Sequence, residues 1–487
     1  MVLELFKIDR NSQIPIYRQL MINIQELIHS GSLVTGQKLP GTRAIADHLQ
    51  IHRQTVVTAL DELNLQGWIN ILPGKGSFVM GELKQEVKSW TVPNAQIKER
   101  DHINLPHHLG RSLPLIHQKF HLDDGLPDPR LAPLREIMSY YKEVYLADQP
   151  YQYFKYDDTR GNLFLREVLA DYLSETRSLD IAPEQILITR GVTQALYLSI
   201  KAFLTKGDLV AVPELNWESA NANFGHHGIE LVKIPLDAEG LIVDNLEEIC
   251  RNKPVKMIYL TPHHQYPTTV IMPAHRRVQV VNLCHSRGIL LFEDDYDYDY
   301  HYTTYPLTPL AAGAHGANII YAGSLTKALA PAFRVGYLVA RKDQIEYLAA
   351  LRRMVDRQGD PIMELVVARL IRSGELQRFL RKNRKIYMDR RNFFCDLLVE
   401  KMGQSIRFNL PEGGMSVWAQ FPQITSTKDL HIEALKHDLY VPDGSSFSTE
   451  TPNYTRLGFA ASNFEELTIS VEILKKAHEE VVKKMKR

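Results

Sequence analysis

The stretch Gly323–Val339 reads GSLTKALAPAFRVGYLV. It holds one amine, Lys327, among small and apolar residues, and one guanidinium, Arg334, seven positions later. An amine in so apolar a segment loses hydration, which is unfavourable unless it has a partner or a chemical task. The sequence around it supplies the frame. Apolar runs QILIT, DLVAVP, VKMIYLTP, GILLFEDDY, NIIYAGS and VGYLVA alternate with helix-like stretches. That alternation predicts an α/β domain with a largely parallel sheet. The helix-rich tail from about residue 365, with strand-like MSVWAQF and TRLGFA, predicts a smaller α+β lobe.

One task that suits a buried lysine is a Schiff base to an aldehyde cofactor, and pyridoxal 5'-phosphate (PLP) is the usual one. PLP needs a carboxylate for its pyridine nitrogen, cations and backbone N–H groups for its phosphate, and a flat partner for its ring. Each need has a candidate. LLFEDDYDYDYHY ends an apolar run in Asp294, suited to the pyridinium, and Tyr296 follows, suited to the ring's phenolic oxygen. LITRGVTQALYLSIKAFL reads as a strand, a turn at Gly191 and a helix, so the amides of Val192 and Thr193 can hold a phosphate. Ser324 and Arg334 flank Lys327 to complete that clamp, and Trp217 in VPELNWESA follows a strand, placed to stack. TPHHQYPTT, with Gln265, is another strand-end turn on the same rim. The acidic run could instead be a calcium loop. Counted from Asp295, however, position six is Tyr300 and position twelve is Pro306, so no metal is expected.

Each feature alone is weak; their order carries the weight. Gly191, Trp217, Gln265-Tyr266-Pro267, Asp294/Tyr296, Ser324/Lys327/Arg334 and Arg456 follow one another as in fold-type I aminotransferases, which the chain resembles from GLPDP to its last residues. The resemblance implies that Lys327 carries PLP and that Arg456, in YTRLGFA, holds a substrate or effector α-carboxylate. It also implies that Tyr156, in QYFKYDDTRGNLFLREVLADYL, reaches a partner subunit's phosphate, hence a homodimer. Tyr266 stands where a ring-binding Asn is usual, Val192 for a Ser, Thr269 for a Gly and Thr159 for a Pro. PLP binding is expected; turnover is left open.

The first 80 residues differ. IYRQLMINIQELIHSG puts Leu20, Ile24, Leu27 and Ile28 on one helical face; TRAIADHL and RQTVVTALDELNLQG are further helices, and WINILPGKGSFVM reads as two short strands around a turn. These are the parts of a winged helix-turn-helix, whose second helix enters the major groove. Arg53, Gln54 and Thr55 open that helix, Arg43 opens the one before, and Lys75 with Gly76 forms the hairpin tip. Arg and Gln suit guanine and adenine edges. With 7 Lys/Arg against 6 Asp/Glu in residues 1–80, charge alone does not decide. The order of features over residues 12–80 resembles the GntR family of bacterial regulators, with Gln50 where a turn Gly is common and Val57 where a second Arg is common.

A chain of 487 residues exceeds one ordinary core. The expected layout is a DNA-binding domain over 1–80, a polar linker over 81–115 and an aminotransferase-like domain over 116–487. Its large lobe covers about 160–360 and its small lobe about 116–155 and 365–487. Lys+Arg and Asp+Glu balance at 57 each, which neither demands nor excludes nucleic acid. Three widely spaced cysteines suit a reducing cytoplasm, and no signal peptide or membrane span is read. The two halves together resemble the MocR subfamily of GntR regulators. That resemblance implies a regulator that binds a double-stranded DNA operator as a domain-swapped, head-to-tail homodimer. Its aminotransferase-like domain would sense PLP, or an amine or amino acid that displaces Lys327. Two alternatives stay open: an active aminotransferase with an appended DNA-binding domain, and a DNA-binding protein whose second domain only dimerises.

Overall fold

Helical spacing of apolar residues builds the first unit. Helix α1 (Ile16–His29) buries Leu20, Met21 and Ile24; α2 (Thr42–Leu49) buries Ile45, Ala46 and Leu49; α3 (Arg53–Leu65) buries Val56, Ala59, Leu60 and Leu63. Between α2 and α3, Gln50 adopts the left-handed conformation at φ 51°, and its amide donates to the Asp47 carbonyl at 2.8 Å. That local bond helps a residue other than glycine hold the turn. His52 caps α3, its Nδ1 accepting from the Gln54 N–H. Strands β1 (Ile69–Leu72) and β2 (Gly76–Val79) pair antiparallel as the wing.

The computed structural model describes residues 2–80, 106, 116–303, 307–313, 318–447 and 452–486. The chain divides into two units, residues 1–104 and 105–487. Apart from Pro106, the expected linker 81–115 lies outside the described residues.

The second unit starts with β3 (Phe120–His121), helices α4 (Leu134–Tyr145) and α5 (Leu163–Arg177), and β4 (Ile186–Thr189). Next come α6 (Val192–Phe203), β5 (Leu209–Pro213), α7 (Glu218–His226) and β6 (Glu230–Ile234). A small hairpin, β7 (Leu236–Asp237) and β8 (Gly240–Leu241), precedes β9 (Val255–Leu260), β10 (Leu290–Asp295), β11 (Ile319–Ser324) and β12 (Gly336–Val339). The main sheet has seven strands in the order β4-β12-β11-β10-β9-β5-β6. It is parallel except for β12, which runs antiparallel to both β11 and β4. β4, β10 and β12 are buried at every position, the pattern of a sheet covered on both faces. In register, Asp294 lies beside Ala322 and Asp295 beside Gly323, so β10 and β11 end at one rim. Carboxyl ends of parallel strands are where such sheets bind ligands.

The smaller lobe contains β13 (Arg407–Phe408), β14 (Ser416–Gln420), β15 (Leu439–Tyr440) and β16 (Tyr454–Gly458). β13, β14 and β16 form an antiparallel sheet that sets Arg456 opposite Trp418. β15 pairs in parallel with β3, so the chain just before Asp123 belongs to this lobe. Among the described residues, no helix is long and apolar enough to cross a membrane.

Candidate cofactor site and nucleic-acid interface

A cavity of about 190 Å³ opens at the strand ends, and Val192, Trp217, Asp294, Tyr296, Lys327 and Arg456 all line it. Asp124, Tyr259, Thr261 and Tyr266 complete the wall. Asp294 is the penultimate residue of β10 and is 3% exposed. Tyr259 donates its hydroxyl to Asp294 Oδ2 at 2.6 Å, while Oδ1 is buried without a partner. Burial, opposed by the Tyr259 bond, pushes the Asp294 carboxyl up to about 7. A buried oxygen with no donor is an unmet demand, and a protonated ring nitrogen would meet it. The residues present therefore fit PLP.

Lys327 follows β11, and its amine donates to the Gly125 carbonyl. Loss of hydration pulls its pKa down, opposed by the Asp124 charge and reinforced by that of Arg456. A lysine poised in this way is a better nucleophile. The residues that could take a phosphate begin at Gly191, which holds φ 93° as the residue before α6. Arg334 Nη2 donates to the Arg190 carbonyl at 2.5 Å. A Cβ on Gly191 would stand 3.2 Å from that nitrogen, and a Cβ on Gly336 would stand 2.6 Å from the Gly191 Cα. Close backbone approach thus brings a guanidinium beside Gly191, the residue before the N-terminus of α6, where anions are favoured. Ser324 Oγ accepts from the Thr326 N–H at 3.1 Å, beside the same turn. Trp217 caps the start of α7 on the cavity wall.

Three expected residues sit otherwise. Gln265 does not line this cavity. Its amide nitrogen donates to the Leu215 and Tyr266 carbonyls at 2.8 and 2.6 Å, and its oxygen accepts from the Thr268 N–H at 3.2 Å. It is a scaffold of the loop, because a buried amide must satisfy its own hydrogen bonds first. Tyr296 lines the cavity, but its hydroxyl donates to the His264 carbonyl at 3.1 Å. Tyr156 is exposed outside the cavity of its own chain, under the Arg357 guanidinium at 3.9 Å.

Arg456 is buried at the far end. Its Nε lies 2.7 Å from Asp124 Oδ1, an ion pair without the alignment of a hydrogen bond. Nη1 donates to the Pro267 carbonyl at 3.1 Å, and the guanidinium stacks 4.6 Å from the Tyr266 ring. Tyr266 in turn donates to Asp124 Oδ2 at 2.7 Å. Sequence reading missed Asp124; its one signal was a carboxylate directly before Gly125 in HLDDGLPDP.

In the first unit Arg43, Arg53 and Gln54 are exposed and Thr55 is half-buried. Arg53 Nε donates to Thr42 Oγ1 at 3.3 Å, which ties the opening of α3 to that of α2. Lys75 is exposed at the wing tip, and Gly76 has φ 112°. A Cβ on Gly76 would meet Lys38 Cε at 2.8 Å, so Lys38, also exposed, adds a second cation to the wing.

The sheet order, the strand-end cavity and its lysine, aspartate and arginine define the cofactor domain of a fold-type I aminotransferase, carried on the same chain as a winged helix-turn-helix. Comparison with known proteins agrees. Residues 125–474 match the family described as aminotransferase class I and II, and residues 16–79 match the bacterial regulatory proteins of the gntR family. The chain belongs to the aminotransferase class I and II family, in the form of a GntR-type regulator, and that family implies PLP as cofactor. It is 28% identical to the pyridoxine biosynthesis transcriptional regulator PdxR of Corynebacterium glutamicum, over 80% of each chain. It is 24% identical to the probable rhizopine catabolism regulatory protein MocR of Rhizobium meliloti, over 85% of this chain and 83% of that one. Among solved structures it is similar to LysN, the α-aminoadipate aminotransferase of Thermus thermophilus complexed with N-(5'-phosphopyridoxyl)-L-leucine. There the TM-score is 0.70 and the identity 26%, over 75% of this chain and 93% of that one.

Proposed function

We propose that the protein is a cytoplasmic transcriptional regulator that binds a double-stranded DNA operator and changes its DNA binding when PLP, or an amine or amino acid, occupies the cavity around Lys327. The observation that carries this reading is the presence, in one chain, of exposed Arg53, Gln54 and Lys75 on a DNA-reading unit and an unmet Asp294 Oδ1 in a cofactor cavity. When bound, PLP supplies an aldehyde to which primary amines add. The chain's own residues divide the work. Asp294 holds the ring nitrogen's proton. Gly191, Val192, Thr193, Ser324 and Arg334 bind the phosphate, Trp217 covers the ring, and Lys327 is the amine to be displaced. A ligand regulates only through differential affinity for two arrangements of the protein.

The same reading includes a homodimer. Leu134, Met138, Tyr145, Leu146, Phe154 and Tyr156 are exposed along α4 and the residues after it. A second copy would cover them and place Tyr156 near its partner's phosphate site. The alternative, an active aminotransferase with an appended DNA-binding domain, is favoured by the complete lysine, aspartate and arginine set. It is disfavoured by Tyr296, whose hydroxyl is engaged by the His264 carbonyl. The test is gel mobility of operator fragments selected from genomic DNA, with and without PLP and a panel of amines. Ligand-dependent retardation that disappears in Lys327→Ala supports a sensor. Sustained conversion of an amino acid and a keto acid, with retardation indifferent to ligand, overturns it in favour of the enzyme.

A further inference from the structure

The turn that carries Asp124 is fastened at both ends. Asp123 Oδ1 accepts from the Gly125 and Leu126 N–H groups at 2.8 and 2.7 Å, and the Gly458 N–H donates to the Asp123 carbonyl at 2.7 Å. Gly125, at φ 84°, passes so near Arg456 that a Cβ there would stand 3.4 Å from Nη2. The turn therefore presents two groups to the cavity: the Gly125 carbonyl, which takes the Lys327 amine, and the Asp124 carboxylate. Both Asp124 oxygens are engaged, one 2.7 Å from Arg456 Nε and the other accepting from Tyr266 at 2.7 Å. Arg456, 2% exposed, thus already has an anion, supplied by its own chain. The Asp124 side chain remains 44% exposed although its Oδ1 is buried, so its open face lies away from that oxygen.

We infer that Asp124 sets the ligand class of this cavity: by pairing with Arg456 it excludes ligands that bear an α-carboxylate and leaves the site to primary amines that lack one. The inference rests on the reading of the cavity as an amine sensor. A ligand carboxylate that reached Arg456 would either break this pair and strand Asp124, or place two anions at one guanidinium. An amine without a carboxylate enters with the pair intact, and its ammonium group approaches the open face of Asp124 as an opposite charge. Discrimination of this kind works through repulsion of the wrong ligand as much as attraction of the right one.

The experiment titrates the PLP-loaded full-length protein with a matched pair, 3-methylbutylamine and L-leucine, which differ only by the carboxylate. The change in visible absorption gives apparent affinities. The wild type is expected to prefer the amine. Asp124→Asn, which keeps the shape and an oxygen for Tyr266, is expected to move the amine-to-leucine affinity ratio toward leucine by about tenfold or more. Asp124→Ala is a second variant with the same expectation. A wild-type preference for leucine, or an unchanged ratio in both variants, overturns the inference. A second measurement needs no PLP. The thermal midpoint of the cofactor-free protein is read in acetate against chloride at equal ionic strength, and acetate should stabilise Asp124→Asn but not the wild type. If neither ligand alters the absorption of either protein while acetate still separates them, the amine-sensor reading fails and the Asp124 pairing stands. If acetate does not separate them, the pairing itself fails.

Discussion

The two ends of the cavity treat their charges in opposite ways. At the strand-end wall, Asp294 leaves Oδ1 buried and unpartnered, and Arg334 donates to the Arg190 carbonyl just before the N-terminus of α6. At the lobe end, Arg456, Asp124, Tyr266 and the Pro267 carbonyl close on one another. The first end has an unpaired carboxylate oxygen; at the second, the guanidinium and the carboxylate already form an ion pair. A buried group lacking its partner favours whatever supplies it, whereas opposite charges already in contact resist separation. One cavity can therefore hold its cofactor firmly and yet be selective about what joins it.

The largest effect that would break this contrast is at Lys327. Lys327→Ala should still admit PLP through the wall but lose the lysine-dependent visible absorption that the PLP-loaded wild type shows before any amine is added, checked by the same titrations. Next is Asp294→Asn, which removes the charge that matches the ring nitrogen. PLP affinity should fall about 100-fold, the scale of one unpaired buried charge, as measured by equilibrium dialysis. The same variant sharpens the comparison through pH. Because burial raises the Asp294 carboxyl to about 7, the folded protein retains a proton that the unfolded chain releases near pH 4. Its contribution to stability is present below about pH 4 and lost as pH rises to about 7. Thermal midpoints of the cofactor-free protein should therefore fall over that range, and less steeply in Asp294→Asn. Glu293 and Asp295, raised by burial to about 7 and about 6, keep the remaining slope.

At the closed end, Arg456→Ala strips Asp124 of its cation. It should lower stability by about 2 kcal/mol in denaturant titration, less than for a wholly buried pair, because Asp124 is partly exposed. The smallest effect lies in the other unit. Lys75→Ala should weaken DNA binding evenly across sequences and reduce its salt dependence by about one charge, with PLP affinity unchanged. A change in PLP affinity in that variant would show that the wing and the cavity are not separable.

How far the sequence reached differs between the same two ends. The incomplete wall was legible because each of its groups is a strand-end or turn residue in a recurrent order: Gly191 after ILIT, Asp294 after LLFE, Lys327 after IIYAGS. The closed end was not. Arg456 was read as free to take a ligand carboxylate, and Asp124, more than 300 positions away, gave no local sign of meeting it. Gln265 likewise read as a cofactor contact, yet hydrogen bonds to Leu215, Tyr266 and Thr268 hold it in its loop. Gln50 shows the reverse case: a departure from the common turn glycine that the backbone accommodates through a bond to Asp47.

Apolar periodicity, turn residues and the order of polar residues along the chain determined by themselves the two units, the parallel sheet, the helix-turn-helix and the choice of PLP, because those depend on contacts and conformations that are local or that repeat in chain order. Which charges are left open and which are closed was decided only by the tertiary structure. β3 joins β15, the turn at Asp123 is fastened to β16, and the pairing of Asp124 with Arg456 follows from that docking, which no local pattern encodes.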